Sequence, residues 1–149
     1  MCGISGYYSF HKSISSTNIL EMNQAIRHRG PDDEGFWLYN VRQGVSYSGN
    51  DSTHKIKEQF PVLQDRNSDI ALGFRRLSII DLSEKGHQPM LSENEQIIIT
   101  FNGEIYNYLE LRENLIKQGH TFKTKSDTET IVHLYEQYGT RCVENLRGM

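Results

Sequence analysis

Residues 97–107 read Ile-Ile-Ile-Thr-Phe-Asn-Gly-Glu-Ile-Tyr-Asn. The first five are apolar almost throughout, which predicts a strand over 97–101 buried on both faces. It stops abruptly at Asn102-Gly103. Asn107 then stands before a stretch, 108–118, in which Tyr108, Leu111, Leu115 and Ile116 share a helical face. Glu110 three residues after Asn107 completes a capping pattern, and Gly119 closes the helix. The Asn-Gly pair has two readings. It is the strongest short signal for a tight hairpin turn. It also suits an oxyanion hole, since a strand end is rigid, the Asn amide is a donor, and a glycine N–H can approach a substrate unobstructed. The quick passage into a helix cap, with no long return strand, weakens the first reading.

Working outward from this segment, 121–124 reads as a short strand, and Ser126-Asp127-Thr128-Glu129 as a capping box. The helix that follows would turn Ile131, Leu134, Tyr135 and Tyr138 inward and end at Gly139, with Thr140 capping a last short helix. On the other side, Ile70, Leu72 and Phe74 alternate as a strand, RLSII at 76–80 continues extended, and 86–89 is a turn. Residues 41–69 are polar and weakly patterned, and 49–54 looks like a long surface loop, an insertion or a lid over a pocket. Residues 3–10 alternate, with Ile4, Gly6, Tyr8 and Phe10 on one side. A helix over 17–28, capped by Ser16 or Thr17, presents Ile19, Met22, Ala25 and Ile26 and ends at Gly30-Pro31. A strand over 36–40 follows. Runs of strands with helices between some of them predict an α+β fold.

The chain has 149 residues, enough for one domain with a real core. Sixteen Lys and Arg against nineteen Asp and Glu give a net charge of −3, which argues against a dedicated nucleic-acid or anionic-membrane binder. No apolar run reaches the length of a membrane span, and no secretory signal opens the chain, so the cytoplasm is the expected compartment. Cys2 and Cys142 have no CxxC partner, which suggests neither a disulfide nor a metal site. The six histidines show no paired ligand spacing and read as ordinary residues; no metal site is expected.

Cys2 is the most informative residue for chemistry. Trimming of Met1 would leave a cysteine with a free α-amine, whose ordinary pKa of roughly 7.7–8.0 lets it accept the thiol proton. Nucleophile and base would then come from one residue. On Met-Cys alone, a small hydrophobe at a strand start explains the residue better. Of Arg75 and Arg76, one would face solvent and the other could meet a carboxylate with its planar fork. Glu104 and Asp127 could receive an ammonium; equally, Glu104 could be a solvated charge and Asp127 a helix cap.

Six motifs occur in the order of one family: CGISGYYSF (2–10), RHRGPDDEG (27–35), RRLSIIDLS (75–83), GHQPM (86–90), FNGEIYN (101–107) and SDTE (126–129). Together they resemble the class II, N-terminal-nucleophile glutamine amidotransferase domain of the asparagine synthetase (glutamine-hydrolysing) family. The match spans nearly the whole chain except about 41–69. The resemblance implies a four-layer αββα sandwich of antiparallel sheets, incomplete at its C-terminal end, with residues 1–149 forming the glutaminase domain and the synthetase domain absent. It implies glutamine amide hydrolysis through a glutamyl thioester, releasing ammonia to a synthetase domain or subunit. Cys2 would be the nucleophile, and Asn102 and Gly103 the oxyanion hole. Arg76 would hold the α-carboxylate of L-glutamine, Glu104 and Asp127 its α-ammonium. Leu77, Ile79 and Ile80 would line the pocket, and the loop Arg29–Asp32 would brace Cys2. No cofactor is expected in this domain; ATP and Mg belong to the synthetase domain. The chain carries no P-loop and no SGGxDS-like run. A homodimer is compatible with the resemblance, and neither nucleic acid nor membrane is an expected partner. Two alternatives stand beside it: a non-catalytic glutamine-binding or structural fragment, if Met1 stays in place or the pocket is left open, and an amidotransferase serving a sugar or phosphoribosyl acceptor.

Overall fold

The computed structural model describes residues 2–41, 43–78 and 83–149. In chain order its elements are β1 (Gly3–Tyr8), β2 (Ile14–Ser15), α1 (Thr17–Ala25), β3 (Asp33–Asn40), β4 (Gln43–Ser48), α2 (His54–Gln59), β5 (Asn67–Ser68), β6 (Ile70–Arg76), β7 (Met90–Leu91), β8 (Ile98–Ile99), α3 (Tyr108–Lys117) and α4 (Asp127–Tyr138). Short 3₁₀ turns lie at Arg27–Arg29, Glu84–Gly86 and Gly139–Asn145. The main sheet is antiparallel in the order β1–β6–β3–β4, and β7 pairs with β8 in a second sheet. Helix α1 packs on β1 and β6, and the α3–α4 pair brings α4 against β7 and β8. Antiparallel sheets with helices packed against them make up the expected α+β architecture.

The main core lies under α1: Ile19, Phe36, Leu38, Tyr47, Leu63 and Ala71 are buried together, with Tyr7, Leu20 and Val45 packed against them. Period-two alternation holds in β1, but the side carrying Ile4, Gly6 and Tyr8 faces outward. The helix lies against the other side, where Gly3 and Ser5 leave room for it and Tyr7 joins the core. A Cβ on Gly3 would come within 2.9 Å of Ile26, and Ser5 donates to Asn23 of α1. Asn23 replaces Met22 on the inner face of α1; Met22 is exposed. The polar residue is tolerated inside because its amide donates to Glu34 and to the Phe74 carbonyl.

Residues 41–69 are not a long loop. They contain β4, α2 and β5, anchored from beneath by charge. Glu34 accepts from the Asp51 N–H at 2.8 Å, and buried Arg75 bridges Glu34 at 3.0 Å and Asp51 at 2.8 Å. Polar composition conceals this segment because its order comes from partners distant in sequence. The IIITF run is also different from expectation. Only Ile98–Ile99 pair in a ladder, with β7, and 97–101 are half-buried. No strand forms over 121–124, because the Glu129 carboxylate accepts from the N–H groups of Lys123 (2.7 Å) and Thr124 (2.8 Å) in place of a neighbouring strand.

The helix faces change as well. In α4, Tyr135 and Tyr138 are exposed, whereas Asp127–Thr130, Val132, His133 and Leu134 are buried. In α3, Leu115 is buried and Ile116 exposed. Asn107 makes no side-chain cap. Its amide donates to the Asn145 carbonyl and accepts from the Arg147 N–H, both at 2.9 Å. This clamp sets 147–149 beside 104–106, where Glu104 and Met149 exchange backbone hydrogen bonds. Gly119 and Gly139 do terminate α3 and α4, at φ of 100° and 59°.

Candidate active site

Register places the first chemical group. Gly3 lies opposite Arg75 on β6, and Asp33 of β3 lies opposite Arg76. The residue before Gly3 therefore meets the C-terminal end of the central strand β6. Cys2 is half-buried there, and the Leu77 N–H donates to its sulfur at 3.3 Å. The thiol in turn lies 3.5 Å from the Leu77 carbonyl. The Arg29 guanidinium donates to the Cys2 carbonyl at 3.0 Å, which ties down a segment that would otherwise fray.

A cleft of about 160 Å³ opens at this point. Cys2, Arg76, Leu77, Asn102, Gly103, Glu104 and Asp127 all line it, together with Phe74, Ser78, Gln88, Phe101, Ser126 and Thr128. Seven of the nine residues singled out in the sequence thus share one cavity. Ile79 and Ile80, with Met1, lie outside the described residues. None of the described residues of 41–69 lines the cleft.

The loop after α1 is locked against the same strand end. The Asp32 N–H donates to the Arg76 carbonyl at 3.0 Å, and the Asp32 carboxylate accepts from the Ser78 N–H at 2.8 Å. Gly30 permits the approach: a Cβ there would sit 2.4 Å from the Arg75 carbonyl carbon. Arg76 is buried and donates to the Ser83 carbonyl at 2.8 Å, with Gly86 packed against its guanidinium. Asp127 is buried as well. One of its oxygens accepts from the Ile105 N–H at 2.9 Å, which links the start of α4 to the FNGEIYN segment. Glu104 is exposed at the cleft rim.

Sequence reasoning missed two supports. The Gln88 amide imitates a strand partner for Phe101: its oxygen accepts from the Phe101 N–H at 2.6 Å, and its nitrogen donates to the Phe101 carbonyl (3.4 Å) and to Thr128 (3.3 Å). It therefore fixes the backbone immediately before Asn102. His87 bonds Asp33 at 2.6 Å, and Gly35 leaves room for both, since a Cβ there would meet the Gln88 carbonyl oxygen at 2.1 Å. The GHQPM string signalled a turn but not these bonds, which depend on three segments meeting.

Beyond the cleft, α4 carries a titrating cluster. Burial alone would raise the Glu129 carboxyl and lower His133. Attraction between the two side chains, whose nearest charged atoms lie 3.9 Å apart, outweighs burial at both: with the Lys123 and Thr124 donors, it holds Glu129 at about 2, and with Glu136, it raises His133. Among the described residues, one group of three side chains has metal-ligand spacing, His120, His133 and Glu136, and it lies outside the cleft. No described helix is long and apolar enough to cross a membrane.

Two solved structures share this architecture. A glutamine phosphoribosylpyrophosphate amidotransferase from Bacillus subtilis aligns with a TM-score of 0.77 and 21% identity, over 99% of this chain and 33% of its own. An allosteric regulatory enzyme of purine biosynthesis aligns at 0.75 and 20%, over 99% of this chain and 34% of its own. The fold is shared with these two enzymes. The family described as "Glutamine amidotransferase domain" matches residues 1–46 and 42–149, and the chain belongs to it. Asparagine synthetase [glutamine-hydrolyzing] 1 of Bacillus subtilis is 39% identical over all of this chain and 20% of its own length. The Arabidopsis thaliana protein of the same name is 35% identical, again over all of this chain and 20% of its own length. The chain thus spans about a fifth of the length of these relatives.

Proposed function

We propose that this domain hydrolyses the side-chain amide of L-glutamine, with Cys2 as nucleophile, and delivers the ammonia to a synthetase domain or subunit of the asparagine synthetase kind. The observation that carries the reading is the meeting of Cys2, Arg76, Asn102, Gly103, Glu104 and Asp127 around one small cleft. Its volume is below the roughly 300–1,000 Å³ of a drug-sized pocket and suits a free amino acid.

Free glutamine carries opposite charges at one end and a neutral amide at the other. The Arg76 fork matches the α-carboxylate, and Asp127 with Glu104 receives the α-ammonium. With Met1 removed, the Cys2 α-amine takes the thiol proton, and the sulfur attacks the amide carbon. Charge then grows on the amide oxygen, and the Asn102 amide and the Gly103 N–H, both at the cleft, are the donors assigned to it. Collapse breaks the C–N bond, and the nitrogen leaves as ammonia with the proton held by the α-amine. Water then cleaves the γ-glutamyl thioester to glutamate and restores the thiol. The Leu77 N–H donates to the sulfur and fixes its position at the cleft. No cofactor enters this chemistry; ATP and Mg are assigned to the synthetase partner.

The test combines N-terminal mass spectrometry with glutamate release. The expected protein begins at Cys2, releases glutamate and ammonia in equal amounts, and is alkylated once by a glutamine-mimicking electrophile, whereas Cys2→Ala does neither. A folded, trimmed chain that releases no glutamate and resists alkylation overturns the reading. If that chain still binds glutamine, the non-catalytic alternative takes its place.

A further inference from the structure

His120, His133 and Glu136 meet on the side of α4 remote from its N-terminus. The Gly119 turn delivers His120: the His120 N–H bonds back to the Leu115 carbonyl at 3.0 Å, and Gly119 adopts φ of 100°, a value L residues rarely take. His133 and Glu136 are one turn apart on α4 and share a face. The three ligand atoms form a nearly regular triangle. His120 Nδ1 lies 3.2 Å from His133 Nδ1, His133 Nδ1 lies 2.8 Å from Glu136 Oε2, and His120 Nδ1 lies 3.4 Å from that same oxygen. A tetrahedral ion with bonds of 2.0–2.1 Å needs ligand atoms separated by about 3.3 Å.

The outer nitrogens have their own partners. His120 Nε2 lies 3.3 Å from the Gln137 side-chain oxygen, and a proton on that nitrogen leaves Nδ1 with a lone pair. His133 Nε2 is buried without a hydrogen-bond partner, and the Glu129 carboxylate lies 3.9 Å from it. A proton on that nitrogen leaves His133 Nδ1 as a second lone pair. In that tautomer two nitrogen lone pairs and a carboxylate oxygen converge on one point, a donor set that a positive charge would draw together. A single proton or a metal ion can supply it. The His133 side chain is 4% exposed, but those of His120 and Glu136 are 15% and 23% exposed, which leaves one side open to an arriving ion.

We propose that His120, His133 and Glu136 form a divalent metal site of the zinc type, with three protein ligands and a water in the fourth position, that clips the α3–α4 connection to α4. The donor set of two imidazoles and one carboxylate suits Zn²⁺ and excludes a preference for the all-oxygen cations. Glutamine chemistry does not require this site. None of its ligands lines the cleft, and Glu136 stands nine residues beyond Asp127 on the same helix.

The experiment titrates the chelator-stripped full chain with ZnCl₂ at pH 7.5 by calorimetry, with Co²⁺ absorption as a report of tetrahedral geometry. A Cys2→Ala chain is titrated in parallel, because a free thiol binds zinc on its own. Both chains are expected to take up one Zn²⁺ and to gain thermal stability. His120→Ala and Glu136→Gln should each weaken binding about a hundredfold, and Gln137→Ala about tenfold through loss of the outer hydrogen bond. Circular dichroism checks that each variant is folded, and Glu136→Gln serves if His120→Ala is not. Absence of binding, binding equal in the ligand variants, or binding abolished by Cys2→Ala overturns the proposal and leaves a proton as the charge at the centre of the cluster.

Discussion

Replacing Asp127 by Asn separates recognition of glutamine from chemistry upon it. The carboxylate is 5% exposed, so water competes weakly for it. One oxygen accepts from the Ile105 N–H at 2.9 Å, and the other lies at 3.5 Å from the Ser126 hydroxyl, which leaves capacity for a substrate donor. Asparagine is isosteric, and its amide oxygen can keep the Ile105 bond. Its NH₂ then points at the position proposed for the α-ammonium, donor against donor. A hydrogen bond to a charged group is worth about 1.5–3 kcal/mol, which corresponds to a loss of about 10–150-fold. The ammonium carries the same charge before and during reaction, so the loss belongs to uniform binding: kcat/KM falls and KM rises by that factor while kcat stays within about threefold. The assay follows glutamate release over a range of glutamine concentrations, with a glutamine analogue lacking the α-amino group as second substrate. The wild type should discriminate against the analogue, and Asp127→Asn should lose most of that discrimination. An unchanged KM, or a variant that still rejects the analogue as strongly as the wild type, refutes the assignment of Asp127 to the ammonium.

Two further outcomes concern the scaffold. Arg75→Met removes the cation that pairs with Glu34 and Asp51 and leaves Glu34 buried without it, so chemical denaturation should show a loss of about 3–5 kcal/mol, with partial recovery in the Glu34→Gln, Arg75→Met double variant. A loss under about 1 kcal/mol contradicts a stabilising role for the network. Glu129 falls from 4.5 to about 2, a ceiling of about 3 kcal/mol at about 1.4 kcal/mol per unit, which screening at the edge of the site reduces to about 2. Because this pKa is depressed, its contribution is present above about pH 4.5 and lost as pH falls toward 2. The raised pKa of His133 contributes below its ordinary 6.5 and is lost at higher pH. In chelator-treated protein, Glu129→Gln should therefore cost most stability between about pH 4.5 and 6.5, and the gap to wild type should close near pH 2; a gap that persists there rules this account out.

Local chemistry carries over well from sequence to structure. The glycines that end α3 and α4, the helix over 108–117 and the strand Ile70–Arg76 each depend on residues that are neighbours in the chain, so pattern alone predicts them. The residue types in the cleft were equally readable, since each motif is short and carries its own chemistry. Wherever a partner lay far along the chain, pattern failed. The polar stretch 41–69 is ordered by Glu34 and Arg75, the IIITF run is held at Phe101 by Gln88 rather than by a long ladder, and Asn107 clamps 145–147 in place of capping α3.

The amino-acid sequence by itself determined the inventory: a cysteine at position 2, an Asn-Gly pair at the end of an apolar run, two arginines closing a strand, and acids at 104 and 127. Tertiary structure alone decided that they share a cavity, because an antiparallel register and side-chain-to-backbone bonds across 75 residues bring Cys2 to Leu77. It alone also drew His120 to within hydrogen-bonding distance of His133. No spacing rule reports that distance, because it depends on the left-handed turn at Gly119 that ends α3 just before His120 and on the packing of α3 against α4.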